Sequence, residues 1–237
     1  MNPPSDPMLR PVTRQTMNDQ VYARLRHAII SGRIEPGTTF TLRQLAEQLG
    51  TSQMPVREAI TRLSAENVLV VLPQRGIYLP VLSEEEAEDL WSMRVQLEGE
   101  ACARAARRVT AAELAEMRLL CEKVRQAAEA GDLHAVLEHN SVFQFAVYRA
   151  ARSPTLLQLI ETLRLKSVPH YTAAVRMMLR ERKEYFEDSW NFHDAVLDAL
   201  EAGDAVRARR EKQADLRALR KFTRNIASRQ ASGLKPL

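Results

Sequence analysis

Only two cysteines, Cys102 and Cys121, occur in 237 residues, too few for a disulfide scaffold or a multi-cysteine zinc module. Their scarcity points to a reducing compartment, and both read as small packing residues rather than nucleophiles. No apolar run approaches the roughly 20 residues that a membrane helix needs, and no charged-then-apolar leader opens the chain. The expectation is a cytoplasmic protein with no membrane partner. Phosphate loops, nucleophile elbows and intact metal motifs are missing too, which removes the commonest enzyme signatures. Lysine is absent from one third of the chain: residues 1–80 carry nine Arg, no Lys and six Asp or Glu, within a whole-chain net charge of +4. Arginine grips phosphate and guanine edges bidentately, so the bias points weakly to nucleic acid; Arg-for-Lys usage also follows genome composition.

What is present suffices for two domains, with 45% hydrophobic and 27% charged residues. Residues 1–16 hold four of the eleven prolines and no periodicity, and read as a flexible arm. From Asn18 to about Ser31, Val21, Leu25, Ala28 and Ile29 recur at helical spacing, until Gly32 and Pro36-Gly37 intervene. Thr41 with Gln44 forms a capping box for a short helix with Leu42, Leu45, Ala46 and Leu49 on one face, closed by Gly50. Ser52 is placed to cap a third helix that tolerates Pro55 in its first turn and buries Val56, Ala59, Ile60 and Leu63; Asn67 suits a left-handed stop. Two β-rich runs, 68–72 and 77–81, flank Pro73-Gln74-Arg75-Gly76 and read as a hairpin. At Ser83, capped reciprocally by Glu86, the texture turns wholly helical. Helices are expected over 84–108, 111–130, 133–151, 154–180, 183–202 and 204–230. The fold class is mainly α: a winged helix-turn-helix over 17–81, an all-α bundle over 82–230 for ligand binding and dimerisation, and a tail over 231–237.

Three small helices followed by a two-stranded wing is the pattern of a DNA-reading head. The third helix leaves Met54, Arg57, Glu58 and Thr61 outward, available to a major groove, and the hairpin tip can reach the neighbouring backbone. Gly76, lacking a side chain, permits close approach there. The runs SGRIEPG, LAEQLGTS and PVREAITRL make residues 20–80 resemble the DNA-binding domain of the GntR family of bacterial transcription regulators. That resemblance implies DNA contacts at Arg43, at Ser52 and Gln53, at Arg57, and at Arg75-Gly76. Arg57 is the candidate for guanine readout, while Arg43 and Arg75 suit phosphate or groove walls. Gln53 departs from the arginine usual in relatives and favours adenine edges. The alternatives are ordinary ones: a solvated helix surface for Arg57 and Arg43, an unremarkable turn for Arg75.

In the bundle, the informative positions are polar residues on apolar stripes. Arg94 falls among Leu90, Met93, Leu97 and Ala101; Asn140 and Gln144 fall in register with Val136, Phe143 and Val147; His193 falls with Phe186, Trp190, Leu197 and Leu200. Asp215 falls with Ala208, Leu219, Phe222 and Ile226. A buried unpaired charge costs several kcal/mol, so such groups should meet each other, a ligand or a metal. Residues 83–225 resemble the helical ligand-binding (FCD) domain of the FadR-type branch. In many relatives an Asp or Asn, with three His, holds a divalent metal at the places of Asn140, Gln144, His193 and Asp215. Here Gln144 and Asp215 replace two imidazoles, so loss of tight zinc or nickel binding is expected and no cofactor is required. A weak oxygen-rich metal site led by Asp215 and His193, with Asn140, is the alternative. Arg94 matches the family arginine suited to a carboxylate, or else pairs with Glu98 at i, i+4. His193 is alternatively a core histidine bonded to Asp215 alone, and His27, His134, His139 and His170 show no ligand spacing.

The resemblance implies a repressor that binds a short palindromic operator in double-stranded DNA as a homodimer. A small-molecule effector, a carboxylate, would enter the bundle and shift the two heads. The rivals are an enzyme using acid–base chemistry at His193 and Asp215, and a ligand-independent adaptor with a DNA-binding head.

Overall fold

The computed structural model describes residues 16–72, 76–181 and 185–231, with the side chains of 181–189 and 225–231 outside that description. The proposed arm, Arg75 at the wing tip and the C-terminal tail therefore lie outside it, apart from Thr16 and Ala231.

The head is built from α1 (Met17–Ile30), β1 (Thr39–Phe40), α2 (Leu42–Leu49), α3 (Gln53–Ala65), β2 (Val70–Leu72) and β3 (Gly76–Tyr78). Reciprocal caps start its first two helices: Thr16 with Asp19, and Thr41 with Gln44. Ser52 is the N-cap residue of α3 but makes no side-chain cap bond, unlike the expectation. Gly50 ends α2 in the left-handed region, and Asn67 follows α3 at φ 54°. Val56, Ala59, Ile60 and Leu63 are buried against Val21, Leu25 and Ile29, each large aliphatic side chain contributing about 1.5–3 kcal/mol.

The expected hairpin forms, with β2 antiparallel to β3, and β1 extends it to three strands in the order β1-β3-β2, with Thr39 opposite Tyr78 and Phe40 opposite Ile77. The run 68–72 is strand only from Val70, because the amides of Val68 and Leu69 bond back to the Leu63 carbonyl and tuck both residues under α3. Gly76 is also used differently from its sequence reading. At φ 101°, a Cβ there would stand 2.6 Å from the Phe40 carbonyl oxygen. The close approach it permits is to β1.

The second half comprises α4 (Glu84–Ala106), α5 (Ala111–Glu129), α6 (Leu133–Ala150), α7 (Pro154–Glu181), α8 (Tyr185–Glu201) and α9 (Ala205–Ala231). Ser83–Glu86 and Thr110–Glu113 boxes open α4 and α5. One core joins α4, α5, α6, α7, α8 and α9 around Phe143, Tyr148 and Leu197; a second joins α4, α7 and α9 around Trp91. Cys102 and Cys121 are buried and free, and burial raises both thiols, to about 12 and about 11. Such thiols carry almost no nucleophilic thiolate at neutral pH. Met93 leaves the expected stripe and is exposed. Head and bundle share a seam. Leu165 and Val168 of α7 belong to the head's core, and Gly32 sits so close to α6 that a Cβ would fall 2.7 Å from Leu137.

Candidate DNA-reading face and effector cavity

The pattern that buries Val56, Ala59, Ile60 and Leu63 necessarily turns the other side of α3 outward. Ser52, Gln53, Met54, Arg57 and Thr61 are all exposed, Met54 to 65%. The Thr61 hydroxyl donates to the Arg57 carbonyl, leaving its methyl and its oxygen lone pairs outward. Arg57 forms no ion pair among the described residues, whereas Glu58 is engaged by Asn18. An unpaired guanidinium on an exposed helix is available to a groove at no cost in broken contacts. Arg43 on α2 is 80% exposed and donates to Glu47 at 2.8 Å, an i, i+4 pair that a phosphate could replace cheaply.

The bundle's polar residues do converge. Arg94, Asn140, Gln144, His193 and Asp215 all line one cavity of about 60 Å3. Its chemistry is set by a charged network centred on Glu98, which is fully buried. Arg94 Nε donates to Glu98 at 2.6 Å and its Nη1 to Ser167 at 2.9 Å. Tyr148 donates its hydroxyl to Glu98, Arg164 reaches the same carboxylate at 3.3 Å, and Lys212 Nζ lies 3.7 Å away. Burial by itself would raise the Glu98 carboxyl, but Arg94, Arg164 and Lys212 overcome it and hold the group far below the usual carboxylate range. The i, i+4 pairing of Arg94 with Glu98 is thus present, yet as part of a buried cluster and not an ordinary surface stabiliser.

His193 does not bond to Asp215 as the core-histidine reading had it. Its Nε2 faces the Gln144 amide nitrogen at 3.1 Å. The Gln144 oxygen accepts from the Lys212 ammonium at 2.9 Å, so the amide nitrogen donates and Nε2 accepts. The ring proton then resides on Nδ1, which is buried without a partner among the described residues. Burial pushes the imidazole down to about 4, against a smaller opposing pull from Asp215. A neutral histidine is the result. Asp215 instead accepts from Lys212 at 2.8 Å.

Lys212 is the residue that sequence reasoning missed, together with Tyr148, Arg164, Ser167 and Tyr171. It is 3% exposed and sits one turn from Ala208 and Leu216 on the buried side of α9. That periodicity is the signal that could have found it. Its ammonium also tests the metal reading. It occupies the oxygens of Gln144 and Asp215, the imidazole lone pair of His193 is spent on an amide, and zinc or nickel would need both. Among the described residues no group of three or more His, Cys, Asp or Glu is placed to hold a metal. In this packing the oxygens and the lone pair that such a site would use are engaged within the protein.

Inside the network three cations, Arg94, Arg164 and Lys212, face two carboxylates, Glu98 and Asp215. A third carboxylate on the cavity wall, Glu161, is engaged by Arg26 of the head at 3.5 Å. The interior keeps one positive charge in excess. The head also supplies part of the wall, through Ile30, next to the shared residues Leu165 and Val168.

Comparison with known proteins agrees with both halves. Residues 17–79 match the gntR family of bacterial regulatory proteins, and residues 89–218 match the FCD domain. The chain is 35% identical over 187 residues to the HTH-type transcriptional regulator McbR of Escherichia coli K12, covering 78% of this chain and 82% of that protein. It is 30% identical over 193 residues to a probable D-xylose utilization operon transcriptional repressor of Paenarthrobacter nicotinovorans, covering 81% and 82%. The solved structure of E. coli McbR/YncC superposes with a TM-score of 0.76 at 29% identity, over 92% of this chain and 99% of that one. These relatives are transcription regulators, not enzymes, and no helix among the described residues is long and apolar enough to cross a membrane. A winged head with an unpaired arginine face, joined to a helical FCD domain, places this chain in the gntR family of DNA-binding bacterial transcription regulators, in its FadR-type branch.

Proposed function

We propose that the protein is an effector-responsive repressor that grips a short palindromic operator as a homodimer in the cytoplasm. A compact carboxylate, held in the bundle without a metal, releases the operator. Repression is supported by the name of the P. nicotinovorans relative, and two-fold symmetry by the need to read two half-sites. Arg57 reads a guanine edge; Gln53, Met54 and Thr61 line the same face, and Arg43, Ser52 and the Arg75-Gly76 tip anchor the backbone.

One observation carries the effector reading. A buried cavity with a surplus cation is walled on one side by the DNA-binding head. Arg94, Arg164 and Lys212 would divide a carboxylate's charge, while Asn140, Gln144 and the Nδ1 of His193 supply hydrogen bonds. Its volume is several times the roughly 10–15 Å3 that one water needs, so the fit is to a small acid. A larger occupant must push a wall outward. The head is tied to the bundle by the half-buried Arg26–Glu161 pair, the exposed Arg176–Glu35 pair, His134 Nδ1 donating to the Ser31 carbonyl at 2.7 Å, and the apolar packing of Leu165 and Val168. Ion pairs near the surface contribute about 0–1 kcal/mol each, so the roughly 1–3 kcal/mol typical of allosteric coupling is enough to exchange them and tilt the head while the Leu165–Val168 seam stays packed.

Unbiased operator selection with the purified protein, followed by a screen of small carboxylates for release of the selected DNA, tests the reading. Release by one carboxylate, unchanged by EDTA, is the expected result. Specific binding indifferent to every carboxylate would leave a ligand-independent DNA-binding adaptor instead.

A further inference from the structure

Outside the buried cavity, α4 and α9 form an open groove of about 460 Å3, within the roughly 300–1,000 Å3 usual for ligand sites. Its α9 wall is cationic: Arg217, Arg220, Lys221 and Arg224. Its α4 wall carries Glu88 and Trp91. Part of the charge is neutralised, since Arg220 pairs with Glu84 and Glu88 at 2.8 Å each and Arg224 meets Glu84 at 3.3 Å. Arg217 and Lys221 form no ion pair among the described residues, so the groove keeps cationic groups to spare. Arg217 has only a long bond to the Gln213 amide oxygen, at 3.4 Å, and both it and Lys221 are exposed.

A second, independent observation selects the same chemistry. Trp91 is 1% exposed, yet its indole Nε1 has no hydrogen-bond partner among the described residues. An indole nitrogen can only donate, so the group it lacks is an acceptor. Surplus cations demand an anion and an orphaned donor demands an acceptor; one oxyanion satisfies both.

We propose that the α4–α9 groove is a second ligand site, separate from the effector cavity, that binds a small phosphate or carboxylate through Arg217, Lys221 and the Trp91 indole N–H. The occupant would not be insulated from the cavity. The Arg94 guanidinium lies 4.3 Å from the Trp91 ring centroid, and its far side belongs to the Glu98 network.

The chain has two tryptophans, Trp91 and Trp190, so Trp190→Phe leaves Trp91 as the sole reporter. Titrating that variant with pyrophosphate and with citrate should give a saturable change in tryptophan emission. The tighter of the two identifies phosphate or carboxylate as the preferred group. Lys221→Gln with Arg217→Gln, both exposed positions, should weaken binding about tenfold or more, as loss of charged hydrogen bonds predicts. Trp91→Phe keeps the ring's packing and removes only the donor; in that variant the thermal shift produced by the anion should shrink while the ligand-free melting temperature holds. Three results would overturn the site. One is an emission change reproduced by sodium chloride at equal ionic strength. Another is affinity unaltered by the double substitution. The third is emission that follows protein concentration instead of anion, which would show a second copy of the chain covering the groove.

Discussion

The outer face of α3 and the interior of the bundle both carry arginine, and they treat it in opposite ways. Arg57 is exposed and has no ion pair among the described residues; Arg94 is buried and Arg164 largely so, both held by Glu98, with Ser167 also accepting from Arg94. A surface that must meet many phosphates and bases works by leaving its donors unspent, and water holds them meanwhile at little cost. A protein interior cannot do that, because an uncompensated buried charge costs several kcal/mol. The cavity therefore stores its cations against internal carboxylates, leaving one in excess. Substitutions in the two regions should accordingly fail in different ways: affinity without stability at α3, stability first in the bundle.

The largest effect should come from Glu98→Ala, which strands Arg94, Arg164 and Lys212 together. A loss of about 3–5 kcal/mol of folding stability is expected, read by urea unfolding; a loss below about 1 kcal/mol would mean that the network is hydrated and the contrast with α3 false. Next comes pH. His193 titrates near 4 in the folded chain and near 6.5 unfolded, so below pH 6.5 the unfolded chain binds a proton that the native one refuses. Stability should fall by roughly 3 kcal/mol between about pH 6.5 and 4 from this group alone, and Glu98, depressed in the fold, should add to the loss further down. His193→Phe should flatten the upper part of that slope; an unaltered slope would assign the acid sensitivity elsewhere. Smallest in stability, though decisive for function, is Arg57→Ala. It should reduce discrimination between operator and random DNA by about 1–3 kcal/mol at an unchanged melting temperature. Arg43→Ala should weaken both DNAs alike and lower the salt dependence of binding. If Arg43→Ala rather than Arg57→Ala relaxed specificity, the reading helix would be misassigned.

Legibility followed the same division. The head could be read almost entirely from local pattern: Val56, Ala59, Ile60 and Leu63 define the packed side of α3, so Arg57 and Thr61 had to face outward. Strand β1 could not, because Thr39–Phe40 is two residues long and becomes a strand only by pairing with β3, 38 positions away in sequence. In the bundle, Arg94, Asn140, Gln144 and His193 betrayed themselves as polar residues on apolar stripes. Lys212 escaped notice inside a charge-rich stretch, where one buried ammonium looks like its exposed neighbours. Partner choice was illegible too: nothing local says that Gln144, and not Asp215, faces His193.

From the order of residues alone came the family, the two-part architecture, each helix within a few positions and the side of α3 that faces outward. All of these follow from periodicity and capping within single elements, where interactions reach only three or four residues along the chain. Which cations share Glu98, that Lys212 engages the oxygens of Gln144 and Asp215, and that Ile30 of the head lines the bundle's cavity were decided by packing. Apart from Arg94–Glu98 and Lys212–Asp215, those contacts join residues 49 or more positions apart, and their energies depend on a burial that no single helix can specify.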